Sequence, residues 1–144
     1  MPNNRIIIFT DGGSRGNPGP AAVGVVFKDQ NNNVIKEYSE SIGETTNGQA
    51  EYRAIILGLK KAKSLKYKRV EVRSDSQFIV EQLNGRYKVK EEGIIPLFIQ
   101  AWNLHLDFDD ITINFIPREQ NQEADKLVNL ELDHQKKVNK IPGL

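Results

Sequence analysis

The chain has 144 residues, 20 basic and 19 acidic side chains, a formal net charge of +1 and no cysteine. That length matches one domain with a single hydrophobic core. The missing thiols exclude disulfides, thiol catalysis and the usual structural zinc sites, and fit a reducing compartment, with the cytoplasm as the expected location. No apolar run approaches the roughly 18 residues of a membrane span. The N-terminus lacks the basic-then-apolar layout of a signal peptide. The near-neutral total leaves any contact with a polyanion to local patches.

The first element is the run Arg5 to Phe9, whose consecutive isoleucines lack polar alternation and fit a strand covered on both faces. It delivers Asp11 into a turn containing Gly12, Gly13, Gly16 and Gly19 with Pro18 and Pro20. Such a loop can be a shaped surface for a ligand, or simply an Asp-Gly strand end. Strands are expected over Ala21 to Phe27 and Val34 to Ile42, joined by a turn with three asparagines. Thr46 to Gln49 has capping-box spacing and opens a helix that runs to about Lys63 or Ser64. A fourth strand is expected at Arg69 to Ser74. Ser74 to Gln77 repeats the capping-box spacing, so a helix ending near Asn84 and Gly85 should follow. A helix over Ile94 to Leu106, a strand over Ile111 to Ile116 and a last helix from Asn121 to about Asp133 complete residues 1–133 as one domain. His134 to Leu144 reads as a flexible tail.

This order predicts an α/β fold: a five-stranded mixed sheet, three antiparallel strands and then two parallel ones, with helices on both faces. Ligands of such sheets gather at the carboxyl ends of the parallel strands. Four carboxylates converge on that end. At 100° per residue Glu51 shares a helix face with Ala54, Ile55, Gly58, Ala62 and Leu65, the face expected to pack on the sheet. A buried carboxylate needs a cationic partner. Asp11 and Asp75 each follow a strand, and Asp125 stands at the margin of the buried arc Ala124, Val128, Leu132. Taken singly, Asp75 also reads as a helix-start acid and Asp125 as a solvated one. Together they call for hard cations, magnesium or manganese, since every ligand is oxygen. Two ions roughly 3.5 to 4 Å apart suit in-line displacement at phosphorus, which makes phosphodiester hydrolysis the expected chemistry.

Four motifs in this order resemble type 1 ribonuclease H: T-D-G-G-S-R-G-N-P-G-P at 10–20, T-N-G-Q-A-E-Y-R-A at 46–54, S-D-S-Q at 74–77 with L-N-G at 83–85, and P-R-E-Q-N-Q-E-A-D-K-L at 117–127. The resemblance covers nearly the whole chain. It implies a ribonuclease H-like fold and an endonuclease that hydrolyses the RNA strand of RNA/DNA hybrids with two magnesium ions, for which manganese can substitute. Asp11, Glu51, Asp75 and Asp125 are then both the metal ligands and the catalytic set. Gly12, Gly13, Ser14, Asn17, Asn47 and Gln77 are implied substrate contacts along the minor groove, where amide and backbone groups can read the 2′-hydroxyl. The products implied carry 5′-phosphate and 3′-hydroxyl ends.

The chain departs from the family pattern at three places. Residues 118–121 lack the histidine that many members carry before the last helix, leaving Arg118, Glu119 or His134 as candidates for its part. The stretch 84–94 is too short for the basic insertion with which some relatives grip the duplex. Arg86, Lys88 and Lys90, with Tyr87 among them, are candidate phosphate contacts there. Gly48 stands where the motif usually has a second asparagine. Two other readings are a non-catalytic hybrid-binding module, disfavoured by the intact acidic set, and another nuclease of the same fold. A monomer is expected, since no long apolar patch is visible.

Overall fold

A computed structural model describes residues 5–139. The strands are β1 (Arg5–Ser14), β2 (Gly19–Lys28), β3 (Val34–Thr45), β4 (Arg69–Ser74) and β5 (Asp110–Phe115). The helices are α1 (Asn47–Ser64), α2 (Gln77–Leu83), α3 (Ile95–His105) and α4 (Gln122–Asn139), with a 3-10 turn at Arg118–Gln120. The sheet order is β3-β2-β1-β4-β5. The β1–β2 and β2–β3 pairs are antiparallel, and β1–β4 and β4–β5 are parallel, as the short and helical connections predict. Among the described residues no helix is long and apolar enough to cross a membrane.

Alternation along the strands divides the core. Ile6 and Ile8 of β1, Val25 and Phe27 of β2 and Val70 and Val72 of β4 meet Tyr52, Ile55 and Leu59 of α1, together with Ile79, Val80 and Leu83 of α2. Each fully buried side chain of this kind contributes about 1.5–3 kcal/mol. On the opposite face Phe9, Val26 and Ile116 meet Ala124 and Leu127 of α4, and Ala22 meets Val128 and Leu132. Helices therefore cover both faces.

Two glycines set how closely the helices approach. A Cβ on Gly24 would lie 2.5 Å from the Ala124 carbonyl oxygen, and one on Gly12 only 2.1 Å from that of Ala50. Any side chain at Gly12 would push α1, and with it Glu51, away from β1. The Tyr52 hydroxyl, buried between helices, donates to Gln82 Oε1 at 2.6 Å and ties α1 to α2.

The local signals hold unevenly. The first capping box forms as its spacing predicts: Thr46 Oγ1 accepts from the Gln49 N–H at 3.2 Å, and Gln49 Oε1 accepts from the Thr46 N–H at 3.2 Å. The second does not. Ser76 is the N-cap of α2, without a side-chain bond, while Ser74 remains in β4 because it pairs with both Thr10 and Phe115. Its Oγ accepts from the Ser76 N–H instead. β1 continues through the first two glycines of the expected turn to Ser14, paired to β2 as far as Ala21. α4 runs beyond Asp133 to Asn139, so the first six residues of the expected tail are helical. The Gln135 amide donates to the Ala21 carbonyl and to Ser41 Oγ, holding this extension against the sheet, and Lys136 and Lys137 suit a helix C-terminus. The rest of the expected tail, 140–144, lies outside the described residues.

Candidate active site

β1 outlasts its parallel neighbour. Its register with β4 ends at Thr10 opposite Ser74, so Asp11 and Asp75 are the first residues past the end of the parallel pair. Both therefore stand at the carboxyl end of the β1–β4 ladder, although β1 stays paired to β2 beyond it. Glu51 arrives from above, one turn into α1 and 8 % exposed, on the face that the periodicity of the helix assigns to packing. Its Oε1 accepts from the Gly12 N–H at 2.8 Å, a contact possible only because Gly12 has no side chain to hold the helix off.

Asp11, Glu51 and Asp75 each present a carboxylate oxygen, and the three oxygens lie within 4.8 Å of one another. Asp125, in the first turn of α4, makes a carboxyl-to-carboxyl contact with Asp11 and lines the same cleft. The Asn129 amide donates to Asp125 Oδ2 at 3.3 Å. The cleft holds about 280 Å³ between the β1 end, the start of α1 and α4, with Arg118, Val128 and Leu132 in its wall.

The electrostatics follow from burial of like charges. Desolvation, followed by repulsion from Glu51 and Asp75, pushes Asp11 far above the ordinary carboxylate range. Desolvation also raises Glu51, although the Gly12 N–H opposes it. Asp75 is raised by burial and held back by the Asn121 amide and the Arg118 charge. Among the described residues no lysine or arginine forms an ion pair with any of the four acids. The cationic partner expected for Glu51 is thus only the more distant Arg118. A carboxylate cluster of this kind, with oxygen ligands alone and no close ion pair among the described residues, is able to coordinate a divalent metal ion.

The expected substrate contacts fall into two groups. Gly12 is buried and its N–H is committed to Glu51. Gly13 and Ser14 are half-buried at the cleft, Asn17 and Asn47 are exposed at its rim, and Gln77 is exposed at the start of α2. Asn17 Oδ1 accepts from the Asn47 N–H at 3.0 Å, and Asn47 Oδ1 accepts from the Ser14 N–H at 3.4 Å. The amide oxygens thus build the rim, and among the described residues no bond occupies the two amide nitrogens. Ser14 Oγ is buried at the same place without a partner among the described residues.

Of the candidates for the missing histidine, Arg118 alone lines the cleft. His134 lies in a separate hollow with Leu130, Asp133, Lys136 and Lys137, Glu119 is exposed on the 3-10 turn, and His105 packs on Trp102. Next to the cleft a groove of about 660 Å³ runs from Gly48 past Phe78 and Tyr87 to Arg86, Lys88 and Lys90. The two rings are 5.5 Å apart, and the Arg86 fork is already engaged by Glu81 at 2.8 and 2.9 Å. The sequence reading missed Phe78, Val128 and Leu132 as walls of these cavities. Positions 128 and 132 are three and seven residues beyond Asp125, and that spacing on one helix face was the available signal.

Comparison with known proteins agrees with this geometry. The profile of the family described as reverse transcriptase-like matches residues 9–131. The "Bifunctional protein Rv2228c" of Mycobacterium tuberculosis is 42% identical over 130 residues, which cover 90% of this chain and 36% of that protein. The chain therefore spans about a third of the length of that relative. The crystal structure of RNase H1 from the halophilic archaeon Halobacterium salinarum superposes with a TM-score of 0.88 at 39% identity, covering 90% of this chain and 98% of that one. LC11-RNase H1, isolated from compost by a metagenomic approach and solved in complex with an RNA/DNA hybrid, gives 0.86 at 44% identity, with 90% and 98% covered. With its strand order, its convergent acids and its motifs matched over most of its length, the chain belongs to the ribonuclease HI family of the ribonuclease H-like fold.

Proposed function

We propose that this chain hydrolyses the RNA strand of RNA/DNA hybrids, with Asp11, Glu51, Asp75 and Asp125 as its catalytic carboxylates. The observation that carries the reading is the buried acidic cluster at the end of the parallel strands, open to a cleft whose rim is built from amides. Bound among these carboxylates, two magnesium ions, or manganese in their place, would supply Lewis-acid stabilisation of the charge that builds on phosphorus. Asp11, Glu51 and Asp75 would hold the ions from the strand side of the cleft, and Asp125 from α4. Water attacks the phosphorus, the bond to the 3′ oxygen breaks, and the ends left are 5′-phosphate and 3′-hydroxyl.

Around this centre the chain itself orients the substrate. Arg118, which forms no ion pair among the described residues, presents a cation at the cleft wall, where the scissile phosphate approaches. The amide nitrogens of Asn17 and Asn47, the backbone at Gly13 and Ser14, and Gln77 offer polar groups to 2′-hydroxyls, which is the feature that separates RNA from DNA. The groove with Phe78 and Tyr87 takes the second strand, its sugars against the rings and its phosphates near Lys88 and Lys90, in place of a longer basic insertion.

The test is a panel of uniformly labelled duplexes in magnesium, manganese or chelator. The expected result is cutting of hybrid only, in either metal, with none in chelator. Equal cutting of double-stranded DNA would refute the assignment of the rim to 2′-hydroxyl recognition.

A further inference from the structure

We propose that Asn121 is a positioning residue for metal uptake: its buried amide holds the β1 end that carries Asp11 in register with the helix that carries Asp125. The inference deepens the metal-site reading above and rests on it.

Asn121 is 1 % exposed, between the 3-10 turn and α4. Its Nδ2 donates to the Thr10 carbonyl at 2.8 Å, one residue before Asp11. The same amide holds the Asp75 carboxyl back from the full rise that burial would give it. Its backbone carbonyl accepts from the Asp125 N–H at 3.1 Å, the first turn of α4, and its own N–H donates to the Arg118 carbonyl at 2.9 Å. One residue therefore joins the segments that carry Asp11 and Asp125, and the loop that carries Arg118.

The other half of the side chain explains why it is an amide. Asn121 Oδ1 is buried and has no hydrogen-bond partner among the described residues. A buried acceptor left this way costs about 1–3 kcal/mol, and an apolar side chain of similar volume would avoid that cost. An aspartate of the same shape would set a charge against a carbonyl and another carboxylate. An amide brings an N–H donor to the Thr10 carbonyl without adding charge to the cluster. A residue kept at a cost to folding, with its amide on the carbonyl before Asp11 and its backbone bonded to Asp125, acts on the arrangement of the ligands. It touches no substrate position in the cleft lining, so its effect is exerted through the acids.

The experiment uses the full chain with Asn121→Ala and Asn121→Asp. Calorimetric titration with manganese reads metal affinity directly, and hybrid cleavage against magnesium concentration reads the activation midpoint. Partners of ligand side chains typically contribute about 10–100-fold in affinity or activity. Asn121→Ala is expected to weaken manganese binding and raise the magnesium midpoint by that factor, with the KM for hybrid within about twofold of wild type. Its melting temperature in chelator should fall by only a few degrees, because losing the unpartnered oxygen offsets the donor that the Thr10 carbonyl loses. If Asn121→Ala does not fold, the isosteric Asn121→Asp is judged by the same criterion. Manganese affinity within twofold of wild type in a folded variant would overturn the proposal. So would an affinity loss that tracks the unfolded fraction, or failure of both variants to fold, since either makes Asn121 a folding residue. A wild-type chain that binds manganese tightly and leaves hybrid uncut would refute the hydrolase reading and not this one.

Discussion

Replacing Asp11 with asparagine should make the metal-free protein more stable, by an amount that grows with pH. In the folded chain burial and the neighbouring Glu51 and Asp75 charges raise Asp11 from an ordinary value of 3.8 to about 9. An acid whose folded value lies above its unfolded one binds extra protons in the native state. Its contribution to stability is complete below the unfolded value and is lost as pH rises through the folded one. Each unit of such a shift corresponds to about 1.4 kcal/mol. Relaxation and water entry take back much of the nominal total, which leaves a gain on the order of 2–4 kcal/mol for the neutral amide near pH 9. For a domain of this size each kcal/mol moves the melting temperature by about 2–4 °C, so the shift should be about 5–15 °C. The assay is thermal melting in chelator from pH 5 to 9. Wild type and Asp11→Asn should melt within a few degrees of each other at pH 5 and diverge steadily above it, with the variant higher. Adding magnesium at pH 8 should raise wild type and leave the variant nearly unmoved. A variant that is less stable at every pH, or a difference that does not widen with pH, would refute the claim that uncompensated negative charge strains the empty cleft.

The remaining predictions concern how the cleft is built and used. Gly12→Ala forces a Cβ to within 2.1 Å of the Ala50 carbonyl oxygen, so it should cost at least about 1–3 kcal/mol in urea unfolding and sharply reduce cleavage. An unchanged denaturation midpoint would contradict the close approach of α1 to β1. Tyr52→Phe leaves Gln82 Oε1 buried without its donor and should cost about 1–3 kcal/mol, with hybrid cleavage at 25 °C unaffected. Arg118→Ala should lower kcat/KM for hybrid by about 10–100-fold, in keeping with about 1.5–3 kcal/mol for a charge-assisted contact. Arg118→Lys should recover part of that loss, and its salt dependence should stay near that of wild type. Full activity of Arg118→Ala would remove Arg118 from the phosphate path.

What the sequence made legible was whatever depends on local period and spacing. Glu51 could be placed on the sheet-facing side of α1 because 100° per residue is a property of the helix alone, and it lies there at 8 % exposure. The capping box at Thr46 and Gln49 formed for the same reason. The identical spacing at Ser74 and Gln77 misleads, because Ser74 is claimed by strand pairing on both sides, and long-range pairing leaves no mark in a four-residue window. The true length of α4 depends on Gln135 reaching Ala21 and Ser41, two contacts over 90 residues away in sequence. Asn121 is the clearest case of a residue hidden by its own plausibility. An asparagine just before a helix reads as an ordinary cap, and nothing local reveals that its amide reaches Thr10, 111 positions earlier.

Hybrid labelled on one strand at a time, RNA or DNA, incubated with wild type or Asp11→Asn in magnesium, addresses the central claim most directly. The expected result is internal cutting of the labelled RNA strand by wild type alone, with the DNA strand intact and the chelator lane blank. Cutting of the DNA strand, or equal cutting of RNA by wild type and Asp11→Asn, would contradict a hydrolase built on this cluster of carboxylates.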